Sequence, residues 1–348
     1  MLERLDIENF TVFSKASFEF AAGLNVIVGE NGTGKSHVLK LAYAVIAENN
    51  AQVRKDGQNS ASEGNGSTLK VDYVDKLMNV FRAESMASFV RAGKQPPFSG
   101  GASLSFTDAK FNCSFTHRKK FKEVVTFEPF PSEQWEVVKV SFIPARELLT
   151  IYPGFISLYE ARYLEFEETY RDTCLLLGEP LLKKPMTDLL VILEEAMGGK
   201  VLLERGRFYL VCDFGKVEMP MVAEGIRKLA MLAQLVAVGA LQKDSYLFWD
   251  EPEANLNPRL IKLVARVILQ LAKAGIQIFI ATHSLFLLRE LEVLQAAEKK
   301  PVPQRYFALK QGTDGVEVEQ GNAVDDLQTL VLLDEELLQS DRYMALEQ

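Results

Sequence analysis

The chain of 348 residues has few cysteines, no long apolar run and no excess of positive charge. Its three cysteines, Cys113, Cys174 and Cys212, have no CxxC spacing, which argues against a disulfide framework or a zinc site. The formal net charge is −8, so the overall field repels nucleic acid. DNA binding would therefore need a local basic patch or a partner protein.

Signals for membrane insertion and export are also missing from the sequence. The longest apolar stretch, from Leu229 to Leu241, is too short and too interrupted to span a bilayer. The opening residues, from Met1 to Asp6, are charged and lack the hydrophobic segment of a secretory signal. We therefore expect a cytoplasmic protein that makes no contact with a membrane.

The stretch GENGTGKS, residues 29–36, matches the Walker A pattern of a phosphate-binding loop. A nearly all-apolar strand pattern, expected to be buried on both faces, precedes it, and a helix pattern follows it. Glycines let backbone N–H groups close around phosphate oxygens, and the helix N-terminus adds a positive dipole. The predicted nucleotide-binding residues are Gly29, Glu30, Asn31, Gly32, Thr33, Gly34, Lys35, Ser36 and His37, although a structural role is favoured for His37.

One lysine, one serine and two acidic residues are the candidates for the chemistry of ATP hydrolysis. Lys35 reaches the β- and γ-phosphates, and the Ser36 hydroxyl suits a Mg²⁺ ion. The stretch YLFWDEPEANLNP delivers Asp250 and Glu251 at the end of an apolar strand pattern, as in a Walker B motif. We expect Asp250 to hold Mg²⁺ through a water and Glu251 to orient or deprotonate the attacking water. The alternative is a strand that ends in an acidic cap for the next helix.

A third element is the stretch IFIATHS, in which His283 follows another apolar strand pattern. Because ligands bind where the carboxyl ends of parallel strands meet, a contact between His283 and the nucleotide is the favoured interpretation. The predicted catalytic residues are therefore Lys35, Glu251 and His283. The predicted metal ligands are Ser36 and Asp250, and the predicted cofactors are ATP and Mg²⁺.

The remaining sequence alternates between strand and helix patterns. Polar residues from about 49 to 67 predict a mobile surface loop. Alternating residues from 103 to 130 predict a hairpin or meander, and a helical pattern over 156–197 predicts two or more helices. A hairpin pattern over 200–212 comes before a long apolar helix, and a further helix is predicted to begin at Pro258. The last part predicts two short strands and an acidic helix.

These elements, in this order, resemble the ABC/SMC/RecF branch of P-loop ATPases, in particular stand-alone AAA-type ATPases related to the ATPase domain of OLD-family proteins. The resemblance lies in residues 1–47, 137–150 and 221–287, which include VSFIPARELL, MVAEGIRKLA and DEPEANLNP. It implies an α/β fold, an ABC-type P-loop NTPase head with a mixed sheet, an antiparallel β subdomain and an inserted helical arm. The implied boundaries are 1–155 and 198–348 for the head, with a variable insertion at about 48–136, and 156–197 for the arm.

The resemblance also implies roles for residues that carry no clear pattern of their own. His283 corresponds to the switch histidine that contacts the γ-phosphate. Arg146 and Glu147 occupy the Q-loop position, where a contact to the metal or γ-phosphate is expected, although no glutamine is present. A plain strand-to-helix turn is the alternative for this segment.

The signature position departs from the family pattern, in which a serine and two glycines reach the γ-phosphate of a facing subunit. Ala223 replaces the serine, so this contact is expected to be weaker or to come from Arg227 or Lys228. The D-loop position, at the seam of the dimer, carries an asparagine in place of aspartate. The predicted nucleotide-binding residues outside the phosphate loop are Arg146, Glu224, Gly225 and Asn257.

The function implied by the resemblance is that of an ATP-hydrolysing subunit which dimerises head-to-tail around ATP and separates on hydrolysis. The chain leaves no room for a nuclease domain of roughly one hundred residues, a typical domain size. The expected partners are therefore a second copy, in a homodimer or higher homo-oligomer, and a separately encoded effector, a nuclease or toxin, as in bacterial anti-phage defence. This step is an analogy from fold and motif.

Other functions fit parts of the sequence. A RecF/SMC-like DNA repair ATPase would bind DNA directly, for which the basic run from His117 to Glu123 is a candidate, although such a run is more often a solvated turn. A nucleotide-binding subunit of a transporter is disfavoured by the degraded signature. A non-hydrolysing scaffold is disfavoured by Glu251, and a small-molecule kinase gives His283 and Asn257 no reason to be present.

Overall fold

The computed structural model describes residues 1–58, 66–91, 98–118, 121–128, 135–162, 164–328 and 331–345. In these residues the strands form a six-stranded, a five-stranded and a three-stranded sheet. The strands are β1 Leu2–Phe10, β2 Phe13–Glu19, β3 Leu24–Gly29, β4 Phe98–Phe106, β5 Ala109–Arg118, β6 Phe121–Glu128, β7 Val140–Ile143, β8 Lys200–Glu204, β9 Arg207–Cys212, β10 Gly215–Glu218, β11 Tyr246–Asp250, β12 Gln277–Thr282, β13 Gln304–Gly312 and β14 Gly315–Gly321.

The helices lie on both sides of the six-stranded sheet. None of those in the described ranges is both long enough and apolar enough to cross a membrane. They are α1 Lys35–Gln58, α2 Gly66–Phe81, α3 Phe155–Ala161, α4 Glu168–Leu177, α5 Thr187–Met197, α6 Glu224–Ala237, α7 Pro258–Lys273, α8 Leu285–Ala296 and α9 Val331–Met344.

The six-stranded sheet has the order β14-β13-β3-β12-β11-β7, and all its pairings are parallel except that of β14 with β13. Its strands alternate between two cores, so that both faces are buried. On β3, Val26 and Val28 pack into one core and Ile27 packs into the other. On β11, Trp249 belongs to the first core and Phe248 to the second. The expectation that these apolar strands are buried on both faces is confirmed.

The two cores attach different layers to the central sheet. The first core contains buried residues of helices α4 to α8. The second contains the apolar face of α1 and the inner face of the antiparallel sheet, whose order is β2-β1-β4-β5-β6. The predicted meander is confirmed as β4, β5 and β6, and because β4 pairs with β1 it extends the sheet begun by the first two strands.

The helical segment between β7 and β8 packs on the head through its own apolar residues. Cys174 and Leu177 of α4 and Leu189 and Leu193 of α5 are buried in the same core as α6. The predicted hairpin is present as β8 and β9, and a third strand, β10, joins it without a sequence signal. The division into a head and a helical arm stays a prediction.

The predicted loop over residues 49–67 is wrong where the structure describes it. Helix α1 continues to Gln58, and α2 begins at Gly66. Polar residues of this stretch form partly buried hydrogen bonds: Asn50 donates to the Val138 carbonyl at 2.7 Å and accepts from the Trp135 indole at 3.0 Å. The polar residues that suggested a loop thus belong to α1, where the Asn50 amide joins the helix to residues 135–138. Residues 59–65 lie outside the described part.

The stacked rings of Phe248 and Phe279, with centroids 4.7 Å apart, are a test of the second core. Phe248 is fully buried on β11, so Phe248→Ala should lower the free energy of unfolding by about 3–5 kcal/mol through lost burial and a cavity. Denaturant unfolding of the purified protein measures this change. Phe214→Ala is the control, because Phe214 is 84% exposed and its loss should change stability by less than about 0.5 kcal/mol. Equal effects at the two positions would contradict the described core.

Candidate nucleotide-binding site

The parallel strands bring the predicted site segments to one edge of the sheet. β3 ends at Gly29, where the phosphate loop begins, and β11 ends at Asp250. β12, between them, ends at Thr282, just before His283. In the register Asp250 pairs with Ala281, and Thr282 pairs with Val28. Three segments that are distant in sequence therefore lie side by side at the carboxyl ends of their strands.

Two glycines of the loop are required by the close approach of other atoms. A Cβ at Gly29 would lie 2.6 Å from the Leu309 carbonyl oxygen. Gly34 has φ +87°, and a Cβ there would lie 2.6 Å from Val12 Cγ2. A side chain at either position would displace the loop or its neighbours. Thr33 fixes the turn by donating from its hydroxyl to the Glu30 carbonyl at 2.8 Å.

The Lys35 ammonium lies at the centre of the loop. It donates to the carbonyl oxygens of Gly29 and Glu30 at 2.7 and 2.8 Å. Burial lowers the pKa of Lys35, while the nearby carboxylates of Glu251 and Asp250 act in the opposite direction. The loop therefore holds a positive charge among carboxylates, next to the first turn of α1.

Ser36 and Asp250, the two predicted metal ligands, lie in hydrogen-bond contact. Burial raises the pKa of Asp250, and a hydrogen bond from the Ser36 hydroxyl partly offsets this effect. The second carboxylate oxygen, Oδ1, is buried and has no hydrogen-bond partner. An unpaired buried carboxylate oxygen beside a hydroxyl fits a Mg²⁺ ion, which usually takes one or two protein oxygens and completes its shell with waters and phosphates. The described residues contain no cluster of three or more His, Cys, Asp or Glu side chains that could hold a metal ion.

Glu251 and His283 approach each other beyond the ends of β11 and β12. His283 Nδ1 lies 3.4 Å from Glu251 Oε1 and 3.7 Å from Glu253 Oε1. Glu251 has a left-handed backbone, φ 47°, which is a strained conformation for a residue with a side chain. Both side chains are partly exposed, 32% for Glu251 and 46% for His283, so a ligand can reach them.

Glu253 supports this pair from the buried side. Its Oε1 accepts a hydrogen bond from the Thr282 hydroxyl at 2.6 Å and another from the His283 N–H at 3.2 Å. The carboxylate thereby ties the turn after β11 to the end of β12. The sequence argument missed Glu253, although its place two residues after Glu251 in a polar turn was an available signal.

A cavity of about 300 Å³ joins the loop to the predicted base. Its lining is Asn31, Gly32, Gly34, Lys35, Ser36, His37 and Glu251. Six of the nine predicted phosphate-loop residues and Glu251 thus share one cavity, whereas Gly29, Glu30, Thr33, Asp250 and His283 are not among its lining residues. Arg146, Glu224, Gly225 and Asn257, all in the described part, are not among the lining residues.

Two family models match the chain. One is described as "AAA domain, putative AbiEii toxin, Type IV TA system" and matches residues 181–289, and the other is described as "AAA domain" and matches residues 4–90. The two ranges include the phosphate loop, Asp250, Glu251 and His283. A curated relative is the DNA replication and repair protein RecF of Streptococcus suis strain 05ZYH33, 36% identical over 55 residues. That alignment covers 16% of this chain and spans only 15% of the length of RecF.

Solved structures of Smc heads are similar over most of their length. One is an Smc head bound to the C-winged helix domain of ScpA, with a TM-score of 0.58, 13% identity, and coverage of 94% of this chain and 99% of that one. Another, from Pyrococcus furiosus, is an Smc head with an extended coiled coil bound to the C-terminal domain of ScpA, with a TM-score of 0.53, 13% identity, and coverage of 98% and 99%. The chain resembles ABC/SMC/RecF-like P-loop ATPases, since it matches two AAA-domain models and has the fold of an Smc head. Its predicted fold class is confirmed, and the relation to OLD-family proteins stays a prediction.

The segments predicted to be the signature and the D-loop are neighbours within the chain. Asn255 Nδ2 donates to Glu224 Oε1 at 2.8 Å. A Cβ on Gly225 would lie 3.1 Å from Leu256 Cδ2, so α6 begins in close contact with this turn. Asn257 caps α7 by accepting from the Leu260 N–H at 3.0 Å. Asn257 therefore has a structural task within the chain, and its contact with nucleotide stays a prediction.

The Q-loop position of the ATPase contains one exposed and one buried charge. Arg146 is exposed. The Glu147 carboxylate is buried, accepts from the Leu149 and Thr150 N–H groups, and pairs with Arg227 Nε at 2.8 Å. Arg227 also donates to a carbonyl of its own chain, at Val222. Glu147 and Arg227 thus satisfy each other inside the chain, which leaves Arg146 as the accessible member of this segment.

His37 combines a place on the cavity wall with a buried ring. Its Nδ1 lies 3.0 Å from the Thr11 hydroxyl, and its ring lies 5.6 Å from that of Phe81. Burial, and secondarily the charge of Lys40, lowers the pKa of His37 to about 4. The neutral imidazole is therefore the form that the fold accepts.

His37 should make the stability of the ATPase fall in mild acid. Its pKa is lowered from 6.5 to about 4, so the unfolded chain binds the extra proton between these values. Above pH 6.5 His37 should therefore not reduce the free energy of unfolding. As the pH falls to 4, proton uptake by His37 in the unfolded chain should lower the free energy of unfolding by at most about 3 kcal/mol. Denaturant unfolding of the wild type and of His37→Asn across this range measures the effect. An equally steep pH slope in the variant would contradict it.

Proposed function

We propose that this chain binds ATP with Mg²⁺ and hydrolyses it, and that nucleotide binding closes two copies of the chain head-to-tail. The observation that carries the proposal is the cavity in which Lys35 and Ser36 meet Glu251. Transfer of a phosphoryl group to water requires positioning and charge neutralisation more than covalent chemistry. The cavity supplies a cation, a hydroxyl and a carboxylate for these purposes.

Each residue has a task that follows from its atoms. The Lys35 ammonium moves from the loop carbonyls to the β- and γ-phosphates, where it neutralises charge. Ser36, and Asp250 through a water, would hold a Mg²⁺ ion, which would supply further neutralisation of the phosphate oxygens. Glu251 orients the attacking water and accepts its proton, and His283, 3.4 Å away, contacts the γ-phosphate. Arg146 is the exposed cation that reaches the same phosphate from the Q-loop position.

A second copy would complete the site. The first turn of α6, with Glu224 and Gly225, belongs to the described chain but does not line its cavity. In a head-to-tail pair this helix N-terminus faces the γ-phosphate of the other copy, where its positive dipole and free N–H groups favour an anion. Asn255 and Asn257 then lie at the seam. ATP thereby holds the two copies together, and hydrolysis releases them.

The expected output is control of a separate effector protein. The matching family model is described by a putative AbiEii toxin and a Type IV TA system, which supports a link to bacterial toxin or defence systems. The similar Smc heads were solved with a domain of ScpA bound, which supports an ATPase head that acts on another chain. A DNA-linked role is the second candidate, favoured by the short alignment with RecF. The side chains of the basic run from His117 to Glu123 lie outside the described part of the structure.

Substitution of Glu251 tests hydrolysis directly. Glu251→Gln removes the proton acceptor and keeps the shape, so turnover of ATP should fall by about 10²–10⁴-fold while ATP affinity stays within about threefold. A phosphate-release assay and titration with a fluorescent ATP analogue measure the two quantities. Glu195→Gln is the control, because Glu195 is an exposed residue of α5, and it should retain wild-type turnover. Undiminished hydrolysis in Glu251→Gln would remove the proposed base.

Dimerisation of the chain should require bound ATP that has not been hydrolysed. Glu251→Gln with ATP and Mg²⁺ should elute as a dimer in size-exclusion chromatography with light scattering, and as a smaller species without nucleotide. Lys35→Ala, which lacks the phosphate-binding ammonium, should show no such shift. A mass that stays the same at saturating ATP would exclude ATP-driven dimerisation.

A further inference from the structure

A buried lysine links the signature helix to the backbone of the predicted catalytic glutamate. Lys228 is only 3% exposed. Its Nζ donates to the Glu251 carbonyl at 2.7 Å and to the Ala254 carbonyl at 3.3 Å. Both acceptors belong to the turn after β11, and the donor comes from the second turn of α6. The sequence suggested that Lys228 reaches a second subunit, but its ammonium is held inside its own chain.

The turn that Lys228 holds is strained and fixed on both sides. Glu251 has φ 47°, a conformation that costs a residue with a side chain about 1–3 kcal/mol and persists only when its surroundings enforce it. The Glu251 N–H donates to the Ala281 carbonyl on β12 at 2.9 Å. Its carbonyl accepts from Lys228 and from the Ala254 N–H, the latter at 3.0 Å. Lys228 is the contact in this set that comes from a helix.

The buried charge is maintained by the acidic groups around it. Burial lowers the pKa of Lys228 to about 8, and the carboxylates of Glu253, Glu251 and Glu224 oppose this shift. Glu253, whose Oε2 is buried without a hydrogen-bond partner, has the largest effect among these carboxylates. A buried ammonium is costly unless it is paired and hydrogen-bonded, so its presence at this turn needs a local reason.

We propose that Lys228 is a positioning residue which fixes the direction of the Glu251 side chain by holding its carbonyl, and thereby connects the N-terminal turn of α6 to the hydrolytic site of the same chain. The inference rests on the proposed role of Glu251. Because Gly225 and Lys228 lie one helical turn apart on α6, movement of the helix start changes the position of the ammonium. A contact made by α6 with a second copy would then reach the turn that carries Glu251.

The experiment compares two buried lysines. Lys228→Met keeps the length of the side chain but removes the donor, and Lys76→Met does the same at a distant site. Lys76 is buried between α2 and α4, where it pairs with Glu168 at 2.9 Å and Asp172 at 2.6 Å. Both variants are measured for single-turnover ATP hydrolysis, ATP affinity, and hydrogen exchange of the segment 251–256 by mass spectrometry.

The expected results distinguish an effect on the position of Glu251 from a general loss of stability. Lys228→Met should hydrolyse bound ATP at least about tenfold more slowly, with ATP affinity changed by less than about threefold. Its segment 251–256 should exchange about tenfold faster. Lys76→Met should retain the hydrolysis rate within about twofold and leave exchange at 251–256 unchanged, whatever its effect on unfolding. Lys228→Arg, which keeps donors in a different geometry, should recover part of the rate.

Several outcomes would overturn the inference. One is a hydrolysis rate in Lys228→Met within about twofold of wild type, and another is unchanged exchange at 251–256. An equal loss of rate in Lys76→Met would also count against it. If Lys228→Met does not fold, Lys228→Arg decides, because unchanged rate and exchange in that variant exclude a positioning contact. If the wild type hydrolyses no ATP, the proposed function fails, and exchange in Lys228→Met still decides whether the lysine holds the turn.

Discussion

The parallel pairing of β3, β12 and β11 is the constraint on which the site depends. It places the ends of three strands at one edge. The phosphate loop, Asp250 and His283 therefore become neighbours although they are far apart in the sequence. The strands hold this register because each is buried on both faces, in two separate cores. A slip of one residue would exchange the two cores, which the different sizes of Phe248 and its neighbours oppose. The geometry of the polar edge is therefore a consequence of apolar packing beneath it.

Two levels of polar contact can be distinguished around the cavity. Lys35, Ser36, Asp250 and Glu251 present atoms to the cavity or to the metal position. Glu253 and Lys228 lie behind them and bind backbone groups of the turn and of β12. The second group carries buried charge without direct access to a ligand. Its hydrogen bonds therefore support the positions of the first group.

The sequence predicted those features that a local pattern determines. The phosphate loop, Asp250, Glu251 and His283 each follow an apolar strand, and their types match the chemistry of a triphosphate site. Lys228, Glu253 and the pair of Glu147 and Arg227 were missed or misassigned because their partners come from other elements. The error over residues 49–58 has the same cause. The amides of that stretch are typical of a loop, and only the position of Val138 and Trp135 shows that they are satisfied inside a helix.

The hydrogen bonds of Lys35 to the loop carbonyls give ligand binding a particular energetic form. An incoming phosphate must draw the ammonium away from two oxygen atoms that already accept from it. Binding is thus an exchange of partners, and its net free energy is the difference between two interactions of similar kind. Such a site favours ligands with charged oxygens. Only an acceptor with more negative charge than a peptide carbonyl makes a stronger hydrogen bond to the ammonium than the one it replaces.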